Sequence, residues 1–131
     1  MKGFTLIEIV VAIFLLTVGT MGAFSLIQQT IAFTSIASAQ LAATYLAQEG
    51  IETIRNIRDS NFLANSTWDN GLASSDWQVV NFLDGSQSNF QRKITITSGG
   101  SDILEVSVEV SWSERGRTHQ VTVATELYNW R

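Results

Sequence analysis

The chain contains no cysteine and no proline, and His119 is its single histidine. Without cysteine no disulfide can form, so a folded domain must be held together by packing alone. Without proline, a long helix meets no residue that removes a backbone donor. One histidine and no cysteine leave no cluster of the kind that a catalytic or metal centre needs, so we expect no catalytic residue, no metal and no cofactor.

Charge is also scarce and unevenly distributed. Only 15% of the 131 residues are charged, against roughly 25% in an ordinary soluble domain. Between Ile9 and Gln48 there is no Asp, Glu, Lys or Arg, and all other charges except Lys2 and Glu8 lie at or after Glu49. The net charge is −4 with dispersed cations, which argues against nucleic-acid binding. We expect an apolar N-terminal segment followed by a polar head.

The apolar segment has the length of a membrane span. Ile9 to Ile27 is a charge-free run of 19 residues. At about 1.5 Å per residue, such a helix nearly crosses a hydrocarbon core of roughly 30 Å. The run is longer than the apolar region of a secretory signal, and no convincing cleavage site follows it. We expect a transmembrane helix with Lys2 on the cytoplasmic side and the head outside.

The helical pattern continues beyond the apolar run. A stripe of apolar or small residues recurs at steps of three or four and keeps one helical face apolar: Ile36, Ala39, Ala43, Leu46, Gly50, Ile54 and Ile57. Glu52, Arg55 and Asp59 on the opposite face have the spacing of side-chain ion pairs. The pattern predicts one helix from about Phe4 to Arg58, whose upper half packs against the head.

The remaining residues predict a loop region and then a sheet. Residues 59–90 are rich in Asn, Asp, Ser and Gly, and we expect Trp68, Trp77 and Phe82 to anchor them to the core. Three segments then alternate between apolar and polar residues around Gly-containing turns: 93–97, 104–112 and 119–127. Residues 77–82 predict a further short strand. The fold class is therefore α+β, a long helix packed on an antiparallel sheet of three to four strands.

Glu8 is the one charge inside the apolar N-terminus. An acidic residue at the centre of a membrane helix costs about 2.5–3.5 kcal/mol, and less near its end. Glu8 is either an interfacial residue that contacts lipid headgroups or a group that pairs with a cation. No Lys or Arg occurs in the apolar segment, but a free α-amino group would serve if the chain began near Phe4.

The stretch KGFTLIEIVVAIFLL resembles the N-terminal signature of type IV pilins and of the pseudopilins of type II secretion and competence systems. The resemblance implies a leader of residues 1–3, cleavage between Gly3 and Phe4 by prepilin peptidase, and N-methylation of Phe4. It also implies that Glu8 pairs with the charged N-terminus of an adjacent subunit. The stretch ATYLAQEGIETIRNIRD is similar to minor pilins and minor pseudopilins.

The resemblance also implies an organisation and a location. Residues 4–28 would be the transmembrane and assembly half of the helix. Residues 29–131 would be the head, with an upper helix at 29–58, a loop region at 59–90 and a sheet at 91–131. The partners would be the peptidase, other pilin or pseudopilin subunits, the inner-membrane assembly platform and the lipid bilayer. The chain would be a single-pass protein of the bacterial cytoplasmic membrane, later part of an extracellular or periplasmic filament.

Several functions stay open at this point. The absence of proline, the absence of paired cysteines and the short leader are departures from major pilins, so a minor pilin is the first hypothesis. A minor pseudopilin of a secretion or DNA-uptake system is the alternative. A head that binds a ligand, a surface or DNA at the filament tip is a further hypothesis. The last is a membrane-anchored domain, possibly enzymatic, that is never processed.

Overall fold

The computed structural model describes residues 3–81 and 86–130 and contains one helix and four strands. Their bounds are α1 (Leu6–Leu63), β1 (Ser75–Asn81), β2 (Gln87–Ser98), β3 (Ile103–Glu114) and β4 (Arg117–Tyr128). The predicted α+β class is confirmed. The helix extends beyond Arg58, and β1 lies within residues that we expected to be mostly loop. Phe82, the predicted end of that strand, lies outside the described residues.

The four strands form a single antiparallel sheet in chain order, β1-β2-β3-β4. The β3–β4 ladder runs without interruption from Ile103↔Tyr128 to Glu114↔Arg117. Arg115 and Gly116 connect these strands with φ of 52° and 74°. Two central residues with positive φ form a type I′ turn, whose twist matches that of a tight hairpin. The turn therefore fixes the register of the whole β3–β4 ladder.

Contacts divide the chain after Ser38 into two compact units, and the second unit holds the core. The centre of this core is the predicted inner face of β3, where Val106, Val108 and Val110 are almost completely buried. Strands β2 and β4 add Phe90, Ile94 and Leu127, and the helix adds Ala43, Ala47, Ile51 and Ile54. Small residues predominate on the helical face, so helix and sheet approach closely.

The buried face of the helix differs in part from the predicted stripe. Ala43, Gly50 and Ile54 are buried as expected, whereas Leu46 is only half-buried. Ala47 and Ile51 are buried but were not in the predicted stripe. The stripe followed one residue per turn, whereas a helix packed on a sheet buries a face at least 100° wide. A wider face would have included both residues.

The C-terminal end of the helix is held by contacts with distant residues. The Phe62 ring packs against the Trp130 ring with centroids 4.7 Å apart. The Asn61 side-chain amide donates to the backbone carbonyls of Trp68 and Asn70 at 3.2 and 2.7 Å. Trp68 is half-buried against the core, as predicted. The expectation for Trp77 was wrong, because this side chain lies in β1 and is 40% exposed.

One of the two predicted ion pairs on the exposed helical face is present. Arg55 pairs with Glu52 at 2.7 Å. Asp59, the other predicted partner of Arg55, pairs with its neighbour Arg58 at 2.8 Å instead. Both carboxylates are more than half exposed, and pairs of this kind contribute about 0–1 kcal/mol. They keep this face polar and add little to the stability of the head.

Candidate functional site

The predicted site lies where the helix begins. Gly3, Phe4 and Thr5 precede the helix, and the Thr5 carbonyl accepts hydrogen bonds from the backbone N–H groups of Glu8 and Ile9 at 3.1 and 3.3 Å. Thr5 is therefore the N-cap residue, and Glu8 lies in the first helical turn. The peptide bond between Gly3 and Phe4 lies outside the helical hydrogen-bond ladder.

The helix that follows has no apolar cover of its own. Every residue from 3 to 31 is exposed, with Phe4 at 79% and Leu6 at 82%. The most apolar 18-residue window of α1 has a mean hydropathy of 2.3, so the helix is long and apolar enough to cross a membrane. Because large exposed apolar surfaces mark membrane or protein contacts, this segment requires lipid or neighbouring helices around it.

Threonine hydroxyls within the apolar stretch are satisfied inside the helix. The Thr17 hydroxyl donates to the Phe14 carbonyl at 2.8 Å, and the Thr20 hydroxyl donates to the Leu16 carbonyl at 2.9 Å. Such bonds let a hydroxyl enter hydrocarbon without an unpaired donor. These hydroxyls therefore need no partner from another chain.

The Glu8 carboxylate is in a different position. In the part of the chain that the structure describes, no ion pair or side-chain hydrogen bond reaches it. Its place in the first turn lets it interact favourably with the helix macrodipole, worth about 0.3–1 kcal/mol. That is less than the cost of a bare carboxylate in lipid, so a cation from outside the segment would stabilise it further.

Phe4 and Glu8 share one face of the first two turns. Together with Ile9, Ala12 and Ile13 they line a shallow depression on the helix surface that is almost wholly apolar. The residue that would become the new N-terminus and the residue that would bind a neighbour's N-terminus are therefore adjacent. A second helix packed on this face would contact both of them at once.

His119 and the acidic side chains of residues 66–77 form no site in the part of the head that the structure describes. His119 lies in β4 and stacks on Trp112, with ring centroids 5.3 Å apart and an interplanar angle of 19°. Asp69 and Asp76 are exposed. Within residues 3–81 and 86–130, no three His, Cys, Asp or Glu side chains lie close enough together to hold a metal ion.

Comparison with known families identifies the N-terminal segment. Residues 1–24 match the family model described as the prokaryotic N-terminal methylation motif. No curated protein and no solved structure matches the chain. The motif implies processing by prepilin peptidase and assembly with other pilin subunits, and with the apolar helix it fits a protein anchored in the inner membrane. Residues 1–24 of this chain therefore carry the signature of type IV pilins and pseudopilins.

Proposed function

We propose that this chain is a minor pilin, a structural subunit of a type IV pilus-like filament that is assembled through residues 4–28. The observation that carries the proposal is the Glu8 carboxylate, which has no partner among the described residues and lies one turn from a non-helical Gly3–Phe4 bond. The uncovered apolar helix and the methylation motif support the same conclusion.

Processing would supply the missing cation. Hydrolysis of the bond between Gly3 and Phe4 by prepilin peptidase adds one water and leaves a carboxylate on Gly3 and an ammonium group on Phe4. N-methylation of Phe4 keeps that nitrogen positively charged. The leader of residues 1–3 leaves with Lys2, so the mature segment up to Glu49 carries one carboxylate and one terminal cation.

Assembly would then pair these charges between neighbours. A carboxylate and an ammonium group are each costly alone in lipid, and each removes much of the other's cost when they meet. Mispaired helices would leave both charges bare, so the contact favours one axial register over all others. The Phe4–Glu8 face would be the contact surface, with the depression receiving apolar side chains of the adjacent helix.

The head would lie outside the cytoplasmic membrane, with the inner-membrane assembly platform as a further partner. The absence of proline and of cysteine favours a minor over a major pilin. The alternative is a minor pseudopilin of a type II secretion or competence system, because pseudopilins share the signature. Isolating each kind of filament from the native host and testing for this chain separates the two proposals.

The assembly contact is tested by removing the charge of Glu8 alone. We expect Glu8→Gln to reach the membrane normally and to enter filaments about tenfold less, equivalent to about 1.4 kcal/mol of lost subunit contact. Glu52→Gln is the matched control, since this carboxylate lies on the same helix but pairs with Arg55 in the head. Immunoblots of sheared filaments and of membranes measure both pools. Normal incorporation of Glu8→Gln would contradict the proposed pairing.

A further inference from the structure

Strand β4 forms one edge of the sheet, and the direction of its backbone groups follows from its pairing with β3. The Asn129 N–H donates to the Asp102 carbonyl at 2.9 Å, and the same ladder continues to Glu114↔Arg117. In an antiparallel pair, alternate residues bond the partner strand, so the odd-numbered residues of β4 bond β3. The even-numbered residues direct their N–H and C=O groups to the open edge: Thr118, Gln120, Thr122, Ala124 and Glu126.

The two edges of the sheet differ in how they are protected. Strand β1 has 7 residues and two irregularities in its pairing, which disturb the edge as a template for another strand. Strand β4 has 12 residues and no irregularity in its pairing with β3. It contains no proline or glycine, and residues 119–125 carry no Asp, Glu, Lys or Arg. The middle of the β4 edge, residues 119–125, thus lacks the proline, bulge or charge that normally prevents strand addition.

A groove runs beside this open edge on the helix side of the sheet. Its walls are a strip of α1 and the middle of β4: Gln48, Ile51, Glu52, Arg55, Val123, Ala124 and Thr125. Ile51 is buried, Val123 is half-buried, and the Arg55 guanidinium donates to the Thr125 hydroxyl at 3.5 Å. Because side chains alternate along a strand, every second residue of an added strand would enter this groove beside Val123.

The opposite face of the sheet carries two neighbouring acidic side chains at the end of the same edge. Glu105 of β3 lies directly opposite Glu126 of β4, and both are exposed. Like charges directly opposite one another destabilise a sheet. Within the described residues no Lys or Arg pairs with either of them, whereas Glu109 has Lys93 opposite on β2. The Tyr128 hydroxyl donates to Glu126 and completes the cluster.

We propose that the open edge of β4 binds an extended segment of another protein, which adds to the sheet as a fifth strand. The side chains on one face of that strand enter the groove beside Val123, and a Lys or Arg side chain on the other face lies against Glu105 and Glu126. Such strand addition takes affinity from backbone hydrogen bonds and specificity from alternate side chains. The acidic pair defines the chemistry of this partner, an extended segment with basic side chains at alternate positions.

A second copy of the chain does not fit this edge as well. Antiparallel pairing of two β4 strands places a twofold axis perpendicular to the sheet. The part of α1 that packs on the sheet would then run in opposite directions in the two copies. A second β4 strand would also bring no cation to the acidic face, because its side chains there are Thr118, Gln120, Thr122, Ala124 and Glu126. A foreign segment has no such constraint.

The test uses the full-length chain in detergent and a fluorescent peptide of alternating valine and lysine, nine residues long, in fluorescence polarisation. We expect saturable binding, and no binding of a peptide whose alternate backbone amides are N-methylated. Thr122→Pro replaces an outward-facing N–H without removing a bond to β3 and should weaken binding at least about tenfold. Thr122→Val keeps that N–H and should bind like the unmodified chain.

A charge exchange keeps the test decisive if the proline variant fails to fold. Glu126→Lys should weaken binding of the lysine peptide and restore binding of a peptide with glutamate in place of lysine. Intrinsic fluorescence during denaturation verifies that each variant is folded. Absence of peptide binding would overturn the proposal. So would equal binding by Thr122→Pro, or peptide-independent dimers whose formation Thr122→Pro abolishes.

Discussion

Helix and sheet approach closely at Gly50, and replacing this residue tests the packing of the head. A Cβ atom there would lie 3.0 Å from Val108 Cγ1 and 3.2 Å from Arg92 Cδ. Val108 is fully buried, and the Arg92 guanidinium is held by its hydrogen bond to the Leu46 carbonyl at 3.1 Å. Neither neighbour has an easy way to move, so Gly50→Ala overpacks the contact.

Two opposing effects set the size of the change. Overpacking of a core costs about 1–3 kcal/mol. Replacing glycine by alanine inside a helix gains about 1 kcal/mol. We therefore expect Gly50→Ala to lower the free energy of unfolding of the head by about 1 kcal/mol, taking the middle of the overpacking range. Gly50→Val adds two methyl groups at the same point, and we expect a loss of about 3 kcal/mol or more.

Denaturant titration of the full chain in detergent, followed by tryptophan fluorescence, measures these differences. Trp112 is 3% exposed in the folded head, so its emission changes when the core opens. Gly22→Ala is the matched control, because a Cβ there meets no atom within 4 Å. We expect this control to leave the unfolding of the head unchanged. A Gly50→Ala variant that is about 1 kcal/mol more stable, as propensity alone would give, would refute the close-packing argument.

Three further predictions concern the head. The buried Trp112 Nε1–H has no acceptor among the described residues, so its loss in Trp112→Phe removes no hydrogen bond. In denaturant titrations we expect Trp112→Phe to lower the free energy of unfolding by only about 1 kcal/mol and Trp112→Ala to lower it by about 3–5 kcal/mol. The hydrogen bond to Glu126, and then its charge, raise the pKa of Tyr128 above 10.0. In a phenolate absorbance titration of chains that also carry Tyr45→Phe, Glu126→Gln should lower the pKa of Tyr128. With Glu126 present, the stabilisation that accompanies the raised pKa is present below pH 10.0 and should be lost as the pH rises through the folded-state pKa. Arg92→Met keeps the aliphatic stem but loses the hydrogen bond to the Leu46 carbonyl and the ion pair with Glu49 at 3.6 Å. It should lower the free energy of unfolding of the head by about 1 kcal/mol in the same denaturation assay.

Local patterns predicted most of the fold because they report local geometry. Alternation over residues 104–112 and 119–127 identified the buried faces of β3 and β4, and the helical period identified three of the six buried residues of α1. The helix end was missed because it depends on Phe62 packing against Trp130, a contact between residues far apart in sequence. Strand β1 was uncertain because its pairing is irregular and its side chains are mostly exposed.

The two functional surfaces differ in what the sequence reveals. The N-terminal site is contiguous, so Gly3, Phe4 and Glu8 could be identified together from one short stretch, whereas the partner of Glu8 belongs to another molecule. The acidic pair on the sheet was missed, although its signal was present. Counting outward from the turn at Arg115 and Gly116 places Glu105 opposite Glu126, once a two-residue turn is assumed. The helix-side groove needed the three-dimensional structure, because α1 and β4 are distant in sequence.

The central claim is that an amino end at Phe4 becomes the cation for Glu8 of a neighbouring subunit. Mass spectrometry of the N-terminal peptide, from protein purified out of native membranes and filaments, tests it directly. We predict that the mature chain begins at N-methylated Phe4 and that residues 1–3 are absent. A chain that retains Met1 in cells with active prepilin peptidase would contradict the account.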